Sequence, residues 1–158
     1  MSKLFAVLFI SIAFLTTSNF AQETFTNEAA KVSVTLPAGW MYEASGADIM
    51  AYPKEGGFMV HFSVLSADDL GAALAEVDNM LSAQVANLKL GDAKDYNVNG
   101  MSGRFVEGNA DGVLLAIGVI DTPVANSSLM VGAWGAPETV EKYAADVMSI
   151  FNSISPAK

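Results

Sequence analysis

One histidine, seventeen carboxylates and no cysteine are what this chain of 158 residues brings to chemistry. The histidine, His61, sits in Phe58–Leu65, whose alternation puts Met59 and Ser63 on its face and Val60, Phe62 and Val64 on the other. A single imidazole cannot build a multi-histidine zinc site within one chain. A Ser-His-Asp triad needs no adjacency in sequence, but the chain has no Gly-x-Ser-x-Gly elbow, and Met101-Ser102-Gly103 lacks the leading glycine. His61 therefore reads as a structural or solvated strand histidine, and no catalytic residue is assigned.

Glu107, Asn109 and Asp111, followed by Gly112, echo the first half of a calcium loop. The bidentate acid that such a loop needs six residues after its glycine falls on Gly118, so a hairpin turn of Asn, Asp and Gly is the better reading. Neither a phosphate-binding Gly-x-x-x-x-Gly-Lys-Ser/Thr loop nor a dinucleotide fingerprint after a strand is present. Asp68-Asp69 stands where a helix start favours negative charge and reads as a cap. Gly103, Gly118 and Gly132 lie inside strand patterns, which points to close approach by a helix or a bulge. Asn126-Ser127-Ser128 fits an N-glycosylation acceptor that would matter only in a eukaryote. No cofactor and no metal are assigned.

The aromatic residues are the remaining candidates. Trp40, Tyr42, Tyr52, Phe58 and Trp134 fall at strand ends or turns, and the chain has eight methionines, whose side chains adapt to varied apolar shapes. One reading gathers these five into a pocket or docking patch on one sheet face. The other is ordinary core, with Trp40 plugging the corner after Pro37.

The elements that must position these residues follow from periodicity. Lys31–Leu36 alternates and ends at Pro37-Ala38-Gly39, which closes a strand. Met41–Ala44, Ile49–Tyr52 and Phe58–Leu65 read as further strands, with turns at Ser45-Gly46 and Pro53–Gly57. Leu70, Leu74, Val77, Leu81, Val85 and Leu88 then form one helical stripe, which predicts a helix over Asp68–Leu88 with Ser66 and Asp69 at its start and Gly91 at its stop. Asn99-Gly100 predicts a hairpin of type I′ between Tyr96–Val98 and the strand from Met101. Val113–Ile120, apolar on both faces, reads as a central strand, and Leu129–Trp134 as the last long one. Pro137–Ile154 carries a second helical stripe through Val140, Tyr143, Val147, Ile150 and Phe151.

Location is written at the N-terminus. Lys3 precedes an apolar run, Leu4–Leu15, and a small polar stretch ends at Ala21. That is the pattern of a cleaved secretory signal, and the run is short of the about 20 residues a permanent span needs. The expected organisation is a signal peptide at 1–21, a flexible lead-in at 22–30 and one domain at 31–158. The net charge of −9 disfavours nucleic acid and anionic lipid, which attract clusters of Lys and Arg. The lack of cysteine excludes disulfides, thiolate metal sites and a lipid-modified cysteine.

The order of elements, with VSVTLPAGW near the start, resembles the PsbP-like fold. The resemblance rests on an early strand running into a P-x-G-W corner, here Pro37, Gly39 and Trp40, and on a closing helix with Ile150-Phe151-Asn152-Ser153-Ile154. It covers Lys31–Ser155. It implies an α+β fold, an antiparallel sheet of about six or seven strands flanked by a long middle helix and a C-terminal helix. Better-known members act by binding, one type at photosystem II and another on a small GTPase, and no residue here maps onto those interfaces. The resemblance implies a non-enzymatic accessory or protein-binding role for an exported protein, in periplasm or medium, with another envelope protein as partner. A carrier of a small apolar ligand is the alternative.

Overall fold

The computed structural model describes residues 21–158, so the expected signal segment lies, except for Ala21, outside the described residues. Strand β2 (Val32–Leu36) buries Val32, Val34 and Leu36 and turns at the Pro37 corner. The Trp40 amide donates to the Pro37 carbonyl at 3.2 Å, and Gly39 supplies φ +86° at the third position, which the turn requires. β3 (Trp40–Ser45), β4 (Asp48–Pro53) and β5 (Phe58–Leu65) then run as an antiparallel meander. Helix α1 (Leu70–Gln84) follows, and β6 (Lys89–Leu90) leads into the hairpin of β7 (Lys94–Val98) and β8 (Met101–Ala110). β9 (Val113–Asp121), β10 (Ser128–Gly135), helix α2 (Pro137–Ser153) and β11 (Ser155–Pro156) complete the chain.

Among the described residues the fold is α+β, with one eight-stranded antiparallel sheet and one of three strands. The large sheet runs in the order β3-β4-β5-β10-β9-β8-β6, with β7 also paired to β8. The large sheet exceeds the expected six or seven strands through the two-residue β6, and β2 lies outside it, in a second sheet with the two-residue β11 and with a strand in the segment read as a flexible lead-in. That strand, β1 (Glu23–Asn27), pairs antiparallel with β2, and β11 pairs along the other edge of β2. The inward positions of β1 are Phe25 and Asn27. Asn27 donates to the Ala47 carbonyl and accepts from the Ala30 amide. A satisfied asparagine at an inward position hides the apolar alternation that marks a strand.

The large sheet is covered unequally. On one side Ile49, Ala51, Val60, Phe62, Leu129, Val131 and Ile120 meet β2, Phe25, and Tyr143 and Ile150 of α2. Each fully buried residue of the size of Phe62 contributes roughly 1.5–3 kcal/mol by leaving water. On the other side Leu65, Val106, Ile117, Val119 and Met130 pack against Ala73 and Val77 of α1. The α1 core lies on β8–β10 and the end of β5, so among the described residues no helix lies on this side of β3, β4 and most of β5.

Helix α1 is shorter than the stripe predicts. Asp69, not Ser66, is its cap, accepting from the Ala72 amide at 2.8 Å. It ends at Gln84 rather than Leu88, and Gly91 is not its stop. Asn87 takes φ +55° and its side chain donates to Asp111 Oδ1 at 2.7 Å, which turns the chain into β6. α2 starts at Pro137 as expected.

Candidate ligand groove between helix α2 and the sheet

An apolar groove of about 620 Å³ runs between α2 and the β7–β10 part of the sheet. Val140, Ala144, Val147, Met148 and Phe151 of α2 form one wall. Tyr96, Phe105, Leu114 and Ala116 form the other, and Phe58 and Ala133 contribute from the middle of the sheet. The groove exists because small residues, Ala116, Ala133 and Ala144, stand where a well-filled interface would carry larger ones. Its polar groups are few. Glu107 stands with Lys94 at 3.9 Å, and Asn97 and Asn152 line it toward the β7–β8 turn.

Tyr96 is the distinctive side chain. Its ring lies across Gly103 and Gly118, where a Cβ would come within 2.7 Å and 2.8 Å of it. This is the close approach expected of in-strand glycines, made here by a cross-strand ring, with Phe151 of α2 also over Gly118. The Tyr96 hydroxyl is buried and has no hydrogen-bond partner. Burial pushes its pKa well above the usual phenol value, so it stays a neutral O–H donor at physiological pH. A buried O–H without an acceptor is costly, and a ligand atom that accepts from it removes that cost.

The five aromatic candidates do not form one patch. Trp40 is 4% exposed, stacks edge-on against Phe58 and Tyr143, and donates from Nε1 to Asp146 Oδ2 of α2 at 2.9 Å. It is the core plug, as the second reading of the corner has it. Phe58 alone of the five lines the groove. Tyr42 packs on Phe25 and lines a separate, smaller depression of about 380 Å³ beside Asn27. Tyr52 and Trp134 occupy the opposite side of the sheet, where Tyr52 donates to Glu43 at 2.7 Å and Trp134 stands beside His61. The reason is the period of two. Trp40, Tyr42 and Phe58 fall on the inward parity of their strands, and Tyr52 and Trp134 on the outward one. Tyr96 and Phe105 were not singled out from the sequence, and the α2 residues appeared only as a helical stripe. The signal that points to Tyr96 is the pair Gly103 and Gly118, which register places beside one aromatic.

Asp111 forms the apex of the β8–β9 turn with Gly112, at φ +49° and +84°, and Glu107 lies within β8. The Glu107–Gly112 segment is the hairpin that its composition suggests. Asn99 and Gly100, at φ +48° and +87°, make the expected β7–β8 turn.

No family model and no curated protein matches this sequence. Solved structures do resemble the fold. The cyanobacterial PsbP, CyanoP, of Synechocystis superposes with a TM-score of 0.64 at 10% identity, covering 88% of this chain and 94% of that one. The chain has a PsbP-like fold. The Ran-binding protein Mog1p of Saccharomyces cerevisiae gives 0.59 at 6% identity, over 88% and 97% of the two chains. LpqN of Mycobacterium tuberculosis, involved in cell envelope biogenesis, gives 0.55 at 12% identity over 87% and 91%. At such identities the PsbP-like likeness carries architecture, and no side chain of the groove transfers with it.

Proposed function

We propose that this chain is an exported, non-catalytic accessory domain of the cell envelope. Its working surface is the α2 groove, which holds a small, mainly apolar ligand bearing one hydrogen-bond acceptor. The observation that carries the reading is the groove itself. Its volume of about 620 Å³ falls in the range of roughly 300–1,000 Å³ usual for ligand sites. Its one buried unsatisfied donor, the Tyr96 hydroxyl, gives the ligand a fixed polar end. Export is supported by the N-terminal charge and apolar pattern. An accessory role agrees with a PsbP-like fold and with the absence of a catalytic motif in the sequence.

The reading as a docking surface for another envelope protein is favoured by the rim. Leu114 and Met148 are 38% and 59% exposed there, an apolar fringe of the sort that partners cover.

Titration with dansyl-labelled undecanoic acid separates the two. Saturable one-to-one binding is expected, weakened at least about tenfold by Ala144→Trp, which fills the groove, and several-fold by Tyr96→Phe. Both variants are first checked for an unchanged melting profile. Equal affinity in wild type and Ala144→Trp rejects the ligand reading. Crosslinking in native cells then tests the protein partner.

A further inference from the structure

The open side of the sheet carries a second, independent set of residues. Among the described residues no helix covers β3, β4 and most of β5 on this side, and a solvated sheet face ordinarily presents polar side chains. Here Met50 and His61 stand directly opposite each other in the β4–β5 register. Met59 lies two residues before His61 on the same face, and Trp134 is directly opposite Met59 in the β5–β10 register. Gly132 is opposite His61, and the Trp134 ring occupies the space a side chain there would need. The indole thus stands beside the imidazole, ring centres 6.1 Å apart and nearly perpendicular. Asp48 stands at the edge of this group, with Oδ1 3.7 Å from His61 Nε2 and accepting from Ser63 Oγ at 2.5 Å.

We propose that Met50, Met59 and His61, capped by Trp134, form a binding site for one soft monovalent cation of the copper(I) type. The donor set selects the ion. Two thioethers and an imidazole are neutral and soft, which suits copper(I) and, by the same chemistry, silver(I). Zinc takes thiolate, imidazole and carboxylate ligands, usually four. Among the described residues no three of His, Cys, Asp and Glu come together to supply them. Directly opposed Cβ atoms are about 4.5–5.5 Å apart, and neighbours two apart on one strand about 7 Å. Methionine has three rotatable bonds with which to close on a common ion. The indole adds a π face toward the cation. Half-burial of His61 and Met59 and the exposure of Met50, at 40%, leave an entry path. The site is separate from the α2 groove and stands or falls without it.

The test is an anaerobic titration of the purified chain with silver nitrate, and with copper(I) in competition with bicinchoninate, read by tryptophan fluorescence and by NMR of the His61 ring and methionine methyls. One equivalent per chain is expected, with shifts confined to His61, Met50 and Met59. Met50→Leu and Met59→Leu each weaken binding about tenfold or more, and His61→Gln abolishes it. Trp134→Phe removes most of the quenching, and Met80→Leu, on α1, changes nothing. These positions are on the open face, and unchanged circular dichroism spectra confirm folding of each variant. Affinity unchanged in both Leu variants, uptake of several equivalents with every methionine shifting alike, or no uptake at micromolar ion overturns the proposal.

Discussion

Trp40 is held by three kinds of contact at once. Its ring meets Phe58 and Tyr143 edge to face at 6.3 and 5.8 Å, and its N–H finds Asp146. Edge-to-face pairs add to burial, and a buried indole N–H needs an acceptor. Trp40→Ala is therefore expected to lose about 3–5 kcal/mol in urea unfolding. Loss below about 1 kcal/mol rejects the plug and returns Trp40 to the surface candidates. The tetrapeptide Pro37–Trp40 made this legible beforehand, because a proline and a glycine at fixed spacing dictate a turn and an aromatic after it has core to fill. Tyr96 was not legible in that way. Nothing near Lys94–Val98 says that its ring will lie over Gly103 and Gly118, since both glycines reach it only through strand pairing.

At the scale of elements, the end of α2 is tied to a turn far away in sequence. Asn99 Nδ2 donates to the carbonyls of Asn152 and Ile154, at 3.0 and 2.7 Å. Those carbonyls belong to the last turn and C-cap of α2, which lack helical partners. The same residue takes the left-handed backbone of the β7–β8 turn. Asn99→Ala is expected to cost about 1–3 kcal/mol by thermal or urea melting. Asn99→Gly, which keeps the backbone and loses only the side-chain bonds, costs less. Equal stability of wild type and Asn99→Ala removes the link between hairpin and helix. Helix α1 shows the limit of periodicity. Val85 and Leu88 continue its stripe, yet the helix stops at Gln84: Val85 is already extended, and beyond it Asn87 turns left-handed and bonds Asp111.

For the whole molecule, the decisive feature is that one side of the sheet is covered by α2 and the β1-β2-β11 layer and the other only in part by α1. β1 belongs to the covered side. Phe25 is 4% exposed and meets Phe62 edge-on at 5.2 Å and Tyr42 at 5.0 Å. Phe25→Ala is expected to destabilise the fold by about 3–5 kcal/mol, as a core aromatic does. A melting curve indistinguishable from wild type restores residues 22–30 to a loose lead-in. Unequal cover also explains the two candidate sites, one where small residues keep α2 off the sheet and one that neither α1 nor α2 reaches.

The sequence by itself determined the strand and helix periods, the Pro37 corner, the Asn99-Gly100 turn, the missing thiolate chemistry and the resemblance to a PsbP-like fold. All of these depend on neighbours within a few residues, or on composition. Only the tertiary structure decided that Trp40 and Trp134 lie on opposite sides of one sheet, that Tyr96 overlies two glycines, and that Met50 faces His61. Each of these is set by strand register and by how closely a helix approaches, which depend on residues far apart in the chain.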